Sequence, residues 1–414
     1  MFNLVFKEKK MMNKLKYLVF GLMAVVMASC EMKGNADYSD VVYISGTMEK
    51  NTIRKGFEGN DSVDLTLSCT GIVNAPVNAI FEAAPELLDA YNATHNSDYI
   101  APPTDAYSIA NPNVTIQSGQ HVSSLAKLMI ADPTKFEEGK SYCLPIRVKS
   151  DGNLLEAGSV AYIVFVPIIT VDVADINGKA FLVPGFRNNE KLGHLSQLTM
   201  ECKVYVNDFQ HSSPYISSLM GCEENFLLRF GDVSCDPDQL QLAGGKTGAP
   251  RWDQPDKGTA HATTFQTHFP TGKWCHFACV YDGAKIRMYL DGVEMDGSPV
   301  DATGDISLVW SYDYGTSYGD NNGPFAIGYS AGGRYLNGRV SEFRVWNVAR
   351  TPAQLLNNIC YVDPQSEGLI AYWRFQGQSD VLPDGSIRDW TGHGYNAVAR
   401  SGAPSWVPNH KCPY

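Results

Sequence analysis

Lys273-Trp-Cys-His-Phe-Ala-Cys-Val-Tyr-Asp-Gly-Ala-Lys-Ile-Arg-Met-Tyr-Leu-Asp-Gly-Val293 reads as two strands on either side of Asp282-Gly-Ala284, with Asp291-Gly292 opening the next turn. Asp-Gly between apolar runs signals a hairpin, because a tight turn needs residues that tolerate positive φ. Cys275 and Cys279 stand four apart in the first strand, where they share a face but are too far apart to bond to each other. Upstream, Leu198-Thr-Met-Glu-Cys-Lys-Val-Tyr-Val206 alternates strictly. Leu198, Met200, Cys202, Val204 and Val206 are therefore expected on one inward face.

The first half has the same rhythm. Val41-Val-Tyr-Ile44, Ser62-Val-Asp-Leu-Thr-Leu-Ser68, Asn113-Val-Thr-Ile-Gln117, Ser124-Leu-Ala-Lys-Leu-Met-Ile130, Tyr142-Cys-Leu-Pro-Ile-Arg-Val148 and Val160-Ala-Tyr-Ile-Val-Phe-Val166 are short apolar runs punctuated by Gly, Asn, Asp and Pro. That spacing predicts a β-sandwich. One helix interrupts it at Ala84-Pro-Glu-Leu-Leu-Asp-Ala-Tyr-Asn92, with Pro85 near the first turn and Leu87, Leu88 and Tyr91 at helical spacing.

On these motifs the second half resembles the laminin-G-like, concanavalin A-like jelly rolls. Phe325-Ala-Ile-Gly328, Leu336-Asn-Gly-Arg-Val-Ser-Glu-Phe-Arg-Val-Trp-Asn-Val-Ala-Arg350 and Gly368-Leu-Ile-Ala-Tyr-Trp-Arg-Phe375 with Asp389-Trp-Thr-Gly-His-Gly-Tyr-Asn396 extend the match. The resemblance implies two antiparallel sheets with loops at the rim. The first half, through Leu88-Asp-Ala-Tyr-Asn92, Tyr99-Ile-Ala-Pro-Pro103, Val114-Thr-Ile-Gln-Ser-Gly119 and Tyr142-Cys-Leu-Pro-Ile146, resembles an immunoglobulin-like domain of Bacteroides-type surface lipoproteins, which implies a spacer or docking module. The expected fold class is all-β, an immunoglobulin-like sandwich over 41–168 followed by a jelly roll over 180–414.

The chain of 414 residues is 44% hydrophobic and 19% charged, which excludes general disorder. Its start is different in kind. A basic segment, an apolar run from Tyr17 to Met27 and small residues before Cys30 read as a signal peptide over 1–29, the run being too short to span a bilayer comfortably. Met27-Ala-Ser-Cys30 resembles a bacterial lipobox, which implies that Cys30 carries the lipid anchor, that residues 30–40 form a tether, and that the protein sits in the outer membrane, at the cell surface or facing the periplasm. The net charge is −11, and removing 1–29 takes away five lysines and one glutamate. An acidic protein repels phosphate backbones, so nucleic acid is excluded as a partner. The nine further cysteines are odd in number and irregular in spacing, with no C-x-x-C pair. They are expected to be mostly small buried hydrophobes rather than a disulfide framework or a zinc site.

Two motifs suggest enzymes and fail on context. Gly315-Thr-Ser-Tyr-Gly319 fits a nucleophile elbow, but Tyr-Gly-Asp-Asn-Asn-Gly-Pro324 after Ser317 cannot start the helix that an elbow needs. Gly392-His-Gly-Tyr-Asn-Ala397 fits a dinucleotide fingerprint, yet no apolar strand precedes it and no helical pattern follows. A glycosidase needs two convergent carboxylates, and the strand motif Glu-x-Asp-x-x-Glu is matched only by Glu294-Met-Asp296. Glu342 and Arg344, two apart on one strand face, read as a structural pair.

Sugar recognition needs flat aromatic faces beside amides and carboxylates. Trp310, Tyr312, Tyr314 and Tyr318 stand with Asp313, Asp320, Asn321 and Asn322 in one loop, which suits a glycan; the alternative is that these rings are merely packed. Arg251-Trp252-Asp253 and Arg334-Tyr335 are secondary candidates on other loops. Laminin-G-like relatives often hold calcium in rim loops, and Asp389 and Asn396 match polar positions of that loop, which implies a Ca²⁺ site; turn hydrogen bonding is the alternative. The expected protein is a non-catalytic, carbohydrate-binding envelope lipoprotein with a polysaccharide or host glycan as partner. Its rivals are a surface protein that binds protein partners or stabilises an assembly, and a glycoside hydrolase with an unrecognised carboxylate pair.

Overall fold

The computed structural model describes residues 40–187, 189–223, 226–244, 261–302, 304–309, 325–330 and 332–413. They form two β-sandwiches in chain order. In the first, a five-stranded sheet built on Val77–Ala83, Tyr142–Ser150 and Val160–Pro167 packs on a three-stranded sheet of Asp61–Leu65, Ala126–Ile130 and Tyr107–Ala110. Phe81, Ile146 and Ile163 meet Leu65, Leu128 and Ile130 between them. The expected helix is present at Leu88–His95, where Leu88 and Tyr91 cover Cys143 and Val164 on the outer face of the larger sheet. It stops at Asn96, whose φ of 49° is the left-handed conformation that asparagine tolerates.

The second sandwich pairs a nine-stranded sheet with a seven-stranded one. At the centre of the larger sheet Leu198–Asp208 lies between Trp274–Tyr281 and Asn337–Trp346. Its alternate residues Leu198, Met200, Cys202, Val204 and Val206 enter the core, together with Cys275, Phe277 and Cys279 from the neighbouring strand. The Asp291-Gly292 turn carries positive φ at both residues, 51° and 78°, and joins Leu290 directly to Val293. Those are the angles that a two-residue hairpin of the favoured twist requires.

Two expectations need correcting. The jelly roll begins before residue 180: Ile169–Asp175 is a strand of its larger sheet, paired with Asn337–Trp346 and with Ser405–Cys412. Only Ile168 separates it from the last strand of the first sandwich. The cysteines also include a disulfide, Cys360–Cys412, which closes 52 residues of sequence and ties the segment after the helix Pro352–Asn357 to the C-terminal strand. Cys69, Cys143, Cys202, Cys222, Cys275 and Cys279 are buried free thiols as expected, and Cys235 is half-buried.

The outer face of the nine-stranded sheet is unusual in being both charged and buried. Glu201 and Lys203 alternate with the core residues and so point away from them. Glu201 accepts hydrogen bonds from Trp346 Nε1 at 2.8 Å and Arg350 Nη1 at 2.5 Å, and its other oxygen meets His276 Nε2 at 3.0 Å. Burial alone would raise its pKa, but Arg350, Arg344 and His276 outweigh it and hold the carboxyl below the usual range. Glu342 and Arg344 are hydrogen-bonded to each other in this layer and fully buried, as a structural pair. The helix Pro352–Asn357 closes the layer, with Leu355 on Ala278, Val280 and Tyr289.

Candidate functional site

Five strand ends of the seven-stranded sheet lie side by side. Gly244 is paired with His261 and with Phe226, Phe226 with Cys222, and Cys222 with Phe325. The segments 245–260 and 310–324, which carry nearly all of the expected sugar-stacking residues, therefore both join the sheet at this one end. Trp252, Trp310, Tyr312, Asp313, Tyr314, Tyr318 and Asn321 themselves lie outside the described residues, as do Ser317 and Cys30.

At this end, just beyond the strand Ser217–Cys222, stands Glu223, whose side chain is only 7% exposed. Its Oε1 accepts a hydrogen bond from Arg334 Nη1 at 2.8 Å, and Arg229 Nη1 lies 4.0 Å from the same oxygen. Among the described residues its Oε2, shielded from solvent, has no donor, and Arg334 Nε, likewise shielded, has no acceptor. A buried carboxylate oxygen left without a donor costs roughly 1–3 kcal/mol, so the described residues alone leave room in this corner for a further hydrogen-bonding group.

The surrounding face is polar because of strand alternation. Leu228 and Phe230 enter the core, so Arg229 points outward; Leu240 and Leu242 do the same for Gln241. Arg229 donates from Nε to Gln241 Oε1 at 2.8 Å and from Nη2 to Asp232 Oδ2 at 2.8 Å. Burial lowers its pKa, while Glu223 and Asp232 pull it back. Gln241 in turn donates to Thr264 Oγ1 at 3.2 Å. Beside these groups the Tyr329 and Tyr335 rings lie 4.9 Å apart, the Arg400 guanidinium sits 4.5 Å from the Tyr329 ring centre, and Arg400 Nη1 donates to Tyr335 Oη at 3.0 Å. Tyr335 is thus half-buried and packed into an aromatic–guanidinium stack beside the polar face.

Asp389 and Asn396 stand elsewhere and do not fit a calcium ion. Asp389 Oδ1 accepts from the backbone N–H groups of Tyr372 and Thr391, both at 3.1 Å, and Oδ2 accepts from that of Tyr395 at 3.0 Å. The Thr391 hydroxyl reaches both oxygens, at 2.7 and 2.8 Å. Asn396 Oδ1 accepts from Asp389 N at 2.9 Å. Each oxygen faces hydrogen-bond donors, whose positive ends would oppose a cation, so these residues hold the turn together. Among the described residues Asp236, Asp238 and His268 are spaced for a metal, but they are surface groups at the opposite end of the seven-stranded sheet, where Gln239 pairs with His268.

Glu223 and Arg229 were not expected from the sequence, whereas Arg334 belongs to the secondary candidate Arg334-Tyr335. Glu223 sits in Cys222-Glu-Glu-Asn225, which reads as an ordinary polar turn, and its partner Arg334 is 111 residues further on. The alternation around Arg229, apolar on both sides of a cation, was the available signal.

Two sheets face to face around one core define the architecture of the second sandwich. Residues 186–356 match the concanavalin A-like lectin/glucanase superfamily. Residues 38–154 match a model of an N-terminal domain family. The laminin-G-like match thus covers the strands that build the Glu223 corner, while Ile169–Asp175 and its partner Ser405–Cys412 lie beyond it, one on each side. Among solved structures, a Bacteroides ovatus protein provisionally described as carbohydrate-binding is 24% identical over 89% of this chain and 97% of its own, with a TM-score of 0.50, and shares the fold. Domain 4 of an extracellular arabinanase from Geobacillus stearothermophilus, solved with arabinotriose, is 17% identical over 46% of this chain and 79% of its own at a TM-score of 0.28. A second Bacteroides ovatus protein, of unknown function, is 10% identical over 74% and 93% at 0.28. The latter two likenesses are too remote to bear on function. No curated protein matches the sequence.

Proposed function

We propose that the protein is a non-catalytic, carbohydrate-binding lipoprotein of the cell envelope, anchored in the outer membrane through Cys30 and binding a polysaccharide or host glycan at the Glu223 end of the seven-stranded sheet. The observation that carries this reading is Glu223 Oε2, without a donor among the described residues and beside Arg334, at the strand ends where the segments with Trp252 and Trp310–Asn322 join the sheet. A sugar hydroxyl is both donor and acceptor, so one hydroxyl can donate to the carboxylate and accept from the guanidinium. The aromatic rings of the two segments and of Tyr335 supply apolar faces for the pyranose. Asp232, the other acid on this face, is held by Arg229, which favours binding over acid–base hydrolysis.

The test is a glycan array followed by titration. The wild type should bind one glycan class without releasing reducing ends. Glu223→Gln keeps shape and removes the charged acceptor, and should weaken binding roughly tenfold, about 1.4 kcal/mol, with the fold unchanged. Absence of binding to any glycan would favour the protein-partner alternative, and Glu223-dependent hydrolysis would favour the enzyme.

A further inference from the structure

On the far side of the jelly roll from the Glu223 corner, a cleft of about 380 Å³ opens beside the junction of the two sandwiches. Val164 and Val166 line it from the N-terminal sandwich, and Ile169, Leu356 and Ile359 from the jelly roll. Pockets of this size at domain junctions, with apolar walls and few polar groups, are the usual form of small-molecule sites.

One half-buried charged group in it has no opposite charge beside it among the described residues. Arg54 donates from Nη1 to Asn357 Oδ1 at 2.6 Å and from Nη2 to the Leu356 carbonyl at 3.2 Å, both uncharged acceptors. Among the described residues no carboxylate stands within salt-bridge distance of it, and burial lowers its pKa. Of the acids that share the cleft, Glu138 faces Arg374 at 3.9 Å and Asp291 faces Lys273 at 3.6 Å, while Glu137, like Lys140 beside it, is exposed to solvent at the rim. A guanidinium has five N–H groups, and with Asn357, the Leu356 carbonyl and the Tyr99 hydroxyl engaged two on Arg54 remain for a further acceptor. A half-buried cation bound only by neutral oxygens is stabilised by an anion more than any other arrangement in this cleft would be.

We propose that the cleft binds a small amphipathic anion, with an apolar ring or chain against Val166, Ile169 and Leu356 and a carboxylate, sulfonate or similar group on Arg54. The site is independent of the glycan reading. It also gives the N-terminal sandwich a share in ligand binding rather than a spacer's part alone.

The test uses two probes on the full-length chain: 8-anilinonaphthalene-1-sulfonate and its uncharged counterpart N-phenyl-1-naphthylamine. The wild type should bind one of each per chain, the sulfonate about tenfold more tightly. Arg54→Gln should bring the two affinities together while still binding the neutral probe, which shows that the cleft is intact, and Arg54→Lys should retain the preference. Val166→Phe fills the cleft and should abolish saturable binding of both. No one-to-one binding by the wild type, an unchanged preference in Arg54→Gln, or full binding in Val166→Phe would each overturn the proposal.

Discussion

Lys203 is a fully buried lysine. Its ammonium lies 2.8 Å from Cys412 Sγ, 3.2 Å from His410 Nε2 and 5.1 Å from the Trp274 ring centre. Burial lowers its pKa to about 7, with Glu342 opposing and Arg344 reinforcing the shift. An unfolded lysine holds its proton up to its ordinary 10.5, so between about pH 7 and that value the unfolded chain binds more protons than the folded one. Stability should therefore rise with pH through this window, and the penalty should be at its full size below about pH 7. Melting temperatures at pH 7 and pH 9 check this: the wild type should gain stability, and Lys203→Met should lose that gain because it removes the titrating group. An equal gain in both proteins would place the effect elsewhere. His410, lowered to about 4 by burial and then by Lys203 and Arg339, adds a second loss as pH falls from 6.5 towards 4. Trp274 belongs to this buried polar layer, its ring tilted against His410 at 4.6 Å between centres, although its strand neighbours Cys275 and Phe277 face the core.

At the scale of elements, the strand Ile169–Asp175 decides how the jelly roll is completed. It stands between Asn337–Trp346 and Ser405–Cys412, and the C-terminal strand has no other sheet partner among the described residues. A chain that begins at Ala180 loses both this strand and the seat of Ser405–Cys412, to which Cys360 is bonded. We expect residues 180–413 to unfold without a cooperative transition, whereas residues 40–413 melt sharply; a sharp melt of the shorter chain would show that the strand is dispensable. The sequence displayed the strand's apolar character and hid its allegiance. Val160–Pro167 and Ile169–Asp175 run almost without a break, and the partners of the second lie more than 160 residues away. The hairpin at Asp291-Gly292 was legible for the opposite reason, since its positive φ values are a local demand that glycine and aspartate meet. The disulfide escaped because an odd cysteine count with 52 residues between partners carries no local pattern.

At the scale of the whole molecule, the two sandwiches share more than a junction. Tyr99 Oη donates to Asn357 Oδ1 at 3.0 Å, Lys411 Nζ meets Glu58 Oε1 at 2.5 Å, and Arg54 reaches the helix Pro352–Asn357. The corner proposed to take the glycan lies at the opposite face, on the seven-stranded sheet, where Glu223 and Arg334 come from parts of the chain that only the fold brings together. Composition announced the aromatic loop; the carboxylate that completes the corner became visible through register alone. The most direct test is amide hydrogen exchange with and without a polysaccharide that the chain binds. Protection should appear at the strand ends Cys222–Phe226, 261–264 and Phe325–Ile327, and around Arg334 and Tyr335, and should fade in Glu223→Gln. Protection confined to the Asp389–Asn396 turn or to the cleft between the sandwiches would contradict the assignment of the glycan to this end of the sheet.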